Sequence, residues 1–144
     1  MSASRNFSPL VGSVRKGVVK LYGTFATTTS GTLSTTAITS AKQAGFTVTK
    51  TASKTGRYTI QLIESSGLAA TYNALLQVNT TVIGGDDAAL TTTKGLTAVV
   101  RDNDVATDGT FEVQFVTTNS GNADTELQDS ASFMLEIVLA NSTV

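Results

Sequence analysis

The sequence predicts an all-β chain: a single-domain antiparallel β-sandwich or barrel, jelly-roll-like, behind an extended N-terminal arm at residues 1–10. Three observations carry that expectation. Thr and Ser supply 40 of the 144 residues, 26 of them Thr, and a β-branched hydroxylated side chain suits a pleated surface with one wet face. Apolar residues recur at every second position in short segments, not at helical spacing. Between those segments stand Gly, Asn and Asp, and short strands punctuated by turn residues build sandwiches and barrels. With 40% hydrophobic and only 15% charged residues the chain is globular and low in charge. Residues 11–144 are enough for one domain that buries about 70% of its unfolded surface.

The strands follow in order. Residues 18–25 alternate, with Val19, Leu21 and Phe25 on one face and Lys20, Tyr22 and Thr24 on the other, as in a half-buried strand. Residues 27–42 are rich in Thr, Ser and Ala, lack an apolar period and read as a long loop or β-excursion. Residues 46–50 alternate again. Their expected partner is residues 57–64, across a turn at Lys54, Thr55 and Gly56, with Tyr58, Ile60 and Leu62 facing inward.

Residues 69–83 carry two patterns. Ala70, Tyr72, Ala74, Leu76, Val78 and Val82 alternate, while residues 69–76 also suit a short helix; a strand beginning near Asn73 is the expected form. Gly84, Gly85, Asp86 and Asp87 end it with turn chemistry. Residues 96–101 and 110–116 make two further strands around an Asp/Asn/Gly loop, with Phe111, Val113 and Phe115 as an inward row. The last strand, residues 133–139, is apolar on both faces except at Glu136, so it belongs at the centre of a sheet or beneath another subunit.

The chain contains no Cys, no His and no Trp. Disulfides, zinc–thiolate sites, thiol nucleophiles and the side chain that titrates near neutrality are thereby removed together. Net charge is −1, yet residues 1–63 hold eight cations and no acid, whereas residues 64–144 hold all 11 acids against Lys94 and Arg101. The two segments are electrostatically complementary, through partner contacts or through strands that alternate within one sandwich.

Residues 102–109, from Asp102 to Gly109, are the best candidate for a metal loop, since clustered carboxylates supply hard oxygen ligands. Against a calcium-hand pattern, however, Ala106 takes a ligand position and Thr107 the glycine position. A strand connection, in which Asp and Asn cap their own backbone and Gly109 takes positive φ, fits these residues better. Gly12, Gly17 and Gly23 do not have dinucleotide spacing, and no phosphate loop is present. The expectation is therefore a non-enzymatic chain with no catalytic residue, no cofactor and no metal. The early cations are dispersed and the sequence pI is near 5.2, which argues against a nucleic-acid partner. No stretch approaches the roughly 20 apolar residues of a membrane span, so no membrane is expected either.

The start Met1-Ser2-Ala3-Ser4 lacks the apolar run of a signal peptide. Together with the Thr-rich stretch Thr27-Thr28-Thr29 and the closing strand over residues 133–142, it gives the chain a pattern that resembles the small β-sandwich proteins of tailed-phage particles, especially capsid decoration or cement proteins. The resemblance covers the whole chain in style. It implies a virion protein assembled in the host cytoplasm, a homotrimer at local threefold positions, and the major capsid protein or another virion protein as partner. A neck or tail connector and a host-surface adhesive module are the alternatives. For the last, Tyr22, Tyr58 and Tyr72 are possible stacking platforms, two of them on inward faces.

The resemblance assigns no functional residue. The residues themselves suggest partner contacts in the arm, with Phe7 and Leu10 as apolar anchors, Pro9 limiting the backbone freedom lost on docking, and Arg15 and Lys16 facing an acidic surface.

Overall fold

The computed structural model describes residues 17–28, 32–34, 44–83, 96–117 and 132–141. In chain order the strands are β1 (Val18–Thr27), β2 (Leu33–Ser34), β3 (Phe46–Lys50), β4 (Arg57–Leu62), β5 (Ala74–Ile83), β6 (Leu96–Asp104), β7 (Thr110–Thr117) and β8 (Ser132–Ala140). They form two four-stranded sheets, ordered β2-β1-β8-β5 and β3-β4-β7-β6, and every pairing is antiparallel. The sheets stay open and face each other across one core, so the fold is a sandwich, not a barrel. The N-terminal arm and the turn at Gly84 to Asp87 lie outside the described residues.

Period-two alternation explains most of this core. Tyr58, Ile60 and Leu62 from β4 and Phe111, Val113 and Phe115 from β7 are fully buried, because adjacent positions on a strand point to opposite faces and these share the inner one. Leu21 and Phe25 of β1 and Phe133, Leu135, Ile137 and Leu139 of β8 face them from the other sheet. The rings interlock across the interface. Phe133 lies 5.3 Å from Phe115, 5.8 Å from Tyr58 and 5.6 Å from Phe25, which in turn lies 5.5 Å from Phe46. Gly23 stands between Leu21 and Phe25 on that face, and a Cβ there would come within 2.7 Å of the tip of the Phe46 ring. The missing side chain is therefore the slot that Phe46 fills.

The closing strand is central, as its two apolar faces require: β8 lies between β1 and β5. Of the segment after residue 26, the described part takes the β-excursion form and not the loop, since Thr27 belongs to β1 and Leu33–Ser34 add an edge to it. β5 begins at Ala74, not as a helix, with the Asn73 N–H donating to the Ala140 carbonyl at 2.9 Å.

Its register departs from the expected one. A β-bulge lies between Leu75 and Gln77, so Leu75 and Val78 pack on the core while Ala74 and Leu76 turn outward, Leu76 being 55% exposed. The alternation that placed Ala74, Leu76 and Val78 on one face fails because a bulge inserts one unmatched residue and exchanges the faces across it.

Candidate partner-binding surface

The outward face of the first sheet follows from the register. Residues directly opposite in a ladder share a face. The inner row of β8 is spent on the core, so Met134, Glu136, Val138 and Ala140 look away from it. Val138 stands between Lys20 and Gln77, Glu136 between Tyr22 and Asn79, and Met134 between Thr24 and Thr81.

Tyr22 is 42% and Met134 38% exposed, and Leu76 bulges out from β5. Val138, only 8% exposed, is buried although it stands outside the core cluster. The outcome is a mixed apolar face with one cation, Lys20, and one anion, Glu136, on the described rows. Glu136 Oε1 accepts from Asn79 Nδ2 at 2.9 Å, and Asn79 Oδ1 accepts from Gln77 Nε2 at 3.1 Å, which holds these polar side chains in one arrangement across the middle of the face. Exposed apolar groups gathered on one outward sheet face mark a candidate contact surface.

The outward face of the second sheet is built differently. Arg57 Nη1 donates to Glu112 Oε2 at 3.1 Å, and Arg57 Nη2 and Arg101 Nε both donate to Gln114 Oε1 at 3.1 Å. The Thr51 hydroxyl bonds the Thr59 hydroxyl at 2.9 Å and donates to Glu112 Oε1 at 3.2 Å. Gln114 is only 2% exposed, and two guanidinium groups saturate its oxygen. This lattice uses its donors internally, with Arg57 Nε the buried side-chain atom left without a partner among the described residues. It also joins an early cation to a late acid, so part of the charge asymmetry of the sequence is met inside the sandwich.

The acidic loop between β6 and β7 is a strand connection. The Asp104 carbonyl accepts the N–H groups of Thr107, Asp108 and Gly109 at 2.9, 3.0 and 3.2 Å. Asn103 Oδ1 accepts from the Val105 N–H at 3.4 Å, and Asp108 Oδ1 from the Thr110 N–H at 3.0 Å. Gly109 has φ +75°, and a Cβ there would lie 2.0 Å from the Ala70 carbonyl oxygen, so only glycine fits. No group of three or more His, Cys, Asp or Glu that could hold a metal occurs among the described residues.

Of the tyrosines, Tyr58 is in the core and Tyr72 packs against it, while Tyr22 faces outward, as the alternation implies. Burial, with a smaller contribution from the Glu64 charge, raises the Tyr72 phenol above its ordinary pKa.

Phe7, Pro9, Leu10, Arg15 and Lys16 lie outside the described residues, so the surface drawn here is made of other side chains. Tyr22 and Met134 were within reach of the sequence, through the outward row of β1 and the second apolar face of residues 133–139. Leu76 was not, because its exposure depends on the bulge. Among the described residues no helix is long and apolar enough to cross a membrane. Comparison with family models, with curated proteins and with solved structures finds no match to this chain.

Proposed function

We propose that the protein is a non-enzymatic structural component of a phage particle, a capsid decoration or cement protein that binds and stabilises the outer shell as a homo-oligomer. The observation that carries this reading is the outward row of the central strand. Met134 of β8, with Tyr22 of β1 and the bulged Leu76 of β5, gives the sandwich an exposed apolar face outside its core. Fully burying an exposed apolar side chain contributes about 1.5–3 kcal/mol, these half-exposed ones contribute a fraction of that, and repetition over a symmetric shell multiplies the modest single-site affinity. The opposite face, held by the Arg57–Glu112–Gln114–Arg101 lattice, supplies a rigid polar exterior. The resemblance to phage cement proteins directs the reading to the virion, with the major capsid protein or another virion protein as the contact.

The test is location and copy number on purified particles, by antibody labelling in the electron microscope and quantitative mass spectrometry against the major shell protein. Many copies spread over the head are expected, with occupancy lowered by Tyr22→Asp and Met134→Asp in a protein that still folds. A protein absent from particles overturns the proposal. A few copies at one vertex replace it with the connector reading.

A further inference from the structure

An open sandwich ends in edge strands, whose free N–H and C=O groups invite pairing with other chains unless charge, proline, shortness or a bulge prevents it. Among the described residues the two sheets end in β2, β5, β3 and β6. β2 has two residues, β3 has five and carries Lys50, and β6 carries Arg101, Asp102 and Asp104 around a register break. β5 is the exception. It runs for 10 residues, Ala74–Ile83, without a charge or a proline, and its one irregularity lies near its start, between Leu75 and Gln77. From Gln77 to Ile83 its register with β8 is unbroken. No backbone hydrogen bond joins these residues to any described strand other than β8. Gln77, Asn79 and Thr81 are exposed along it.

We infer that the edge of β5 that no described strand occupies pairs antiparallel with β5 of a second copy about a twofold axis, so that two first sheets join into one continuous sheet. The sequence of the strand favours a copy of itself over another occupant. Centred on Thr80, the self-alignment sets Asn79 opposite Thr81 and Val78 opposite Val82, polar on polar and β-branched apolar on its like. An uncharged strand also meets itself without the repulsion that would separate two copies of β6. Such a contact is isologous, and each partner contributes the same patch. It therefore yields pairs, where the phage resemblance alone implies threefold assembly. The inference does not depend on the particle role and holds equally for the isolated protein.

The experiment uses the full chain, its Thr81→Lys and Thr81→Glu variants, and sedimentation velocity with native mass spectrometry. Thr81 is exposed, and in the paired sheet it lies diagonally across from Thr81 of the second copy, so like charges oppose and unlike charges attract there. The wild type should be dimeric at tens of micromolar. Each variant alone should dissociate at least about threefold more readily, and an equimolar mixture of the two should form dimers containing one of each. Circular dichroism melts check that the variants fold. As a measurement free of substitutions, hydrogen exchange at the amides of residues 77–83 in the wild type should slow with rising protein concentration. A monomeric or trimeric wild type, exchange independent of concentration, or variants that dimerise as the parent does would overturn the inference.

Discussion

Phe133 is the ring on which the two sheets meet, and replacing it with alanine should cost more than any single change on the sheet surfaces. It belongs to the first sheet, is almost wholly buried, and contacts Phe25 in its own sheet and Tyr58 and Phe115 in the other. Removing a buried phenylalanine side chain costs about 3–5 kcal/mol in transfer and cavity terms. Aromatic pairs contribute about 0.5–1.5 kcal/mol each beyond their area, so three of them place Phe133→Ala at the upper end of that range. A domain of this size is stable by about 5–15 kcal/mol, which makes the loss a third or more of the total and lowers the melting temperature by about 10–15 °C.

The assay is urea unfolding followed by far-ultraviolet circular dichroism, since the chain has no tryptophan to report by fluorescence. The midpoint should fall with the slope unchanged, which would mark a change in stability alone. Phe133→Leu, which keeps most of the volume but loses the three ring pairs, should cost less than Phe133→Ala. A Phe133→Ala loss below about 1.5 kcal/mol would refute the argument that these rings hold the sheets together. So would strict additivity with Phe115→Ala, because contacting rings should couple.

Three further outcomes follow from particular contacts. Gly109→Ala should destabilise by at least about 2 kcal/mol and raise hydrogen exchange at Leu62, whose N–H donates to the Gly109 carbonyl at 2.9 Å. Gly67→Ala, also at positive φ but with nothing within 4 Å of the new Cβ, should cost much less in the same melts. Gln114→Leu leaves the Arg57 and Arg101 donors without their shared acceptor and should cost about 1–3 kcal/mol, whereas Gln114→Glu keeps an acceptor and should cost less in urea titrations. Tyr72 binds its proton more tightly folded than unfolded, so its contribution is present below the ordinary value of 10.0 and is lost as pH rises through the higher folded value. Melting temperature should therefore drop more steeply above about pH 10 in the wild type than in Tyr72→Phe, and identical pH profiles would contradict the burial of the phenol.

Strand periodicity is local, and where a strand buries one face completely the sequence carries the answer. The rows Tyr58, Ile60, Leu62 and Phe111, Val113, Phe115 are legible for that reason, as is the central place of β8, whose second face has too few polar residues for a wet position. The outward setting of Tyr22 follows from the same count along β1. Turn chemistry is equally local: Asn103, Asp108 and Gly109 show in their order alone that they close a strand connection.

What the tertiary structure decided depends on residues far apart in the chain. Strand order joins β1 to β8 and β4 to β7, pairings whose partners are separated by most or more than a third of the sequence and leave no mark on either segment alone. Gly23 reads as a gap in an apolar row until Phe46 from the other sheet fills it. Gln114 lies on the outward row of its strand, and only the convergence of Arg57 and Arg101 makes its burial tolerable. The bulge at Leu76 belongs to the same class. A single extra residue is absorbed where β5 meets β8, and which side chain it turns to the surface is settled by that pairing, since alternation along one strand contains no term for its neighbour.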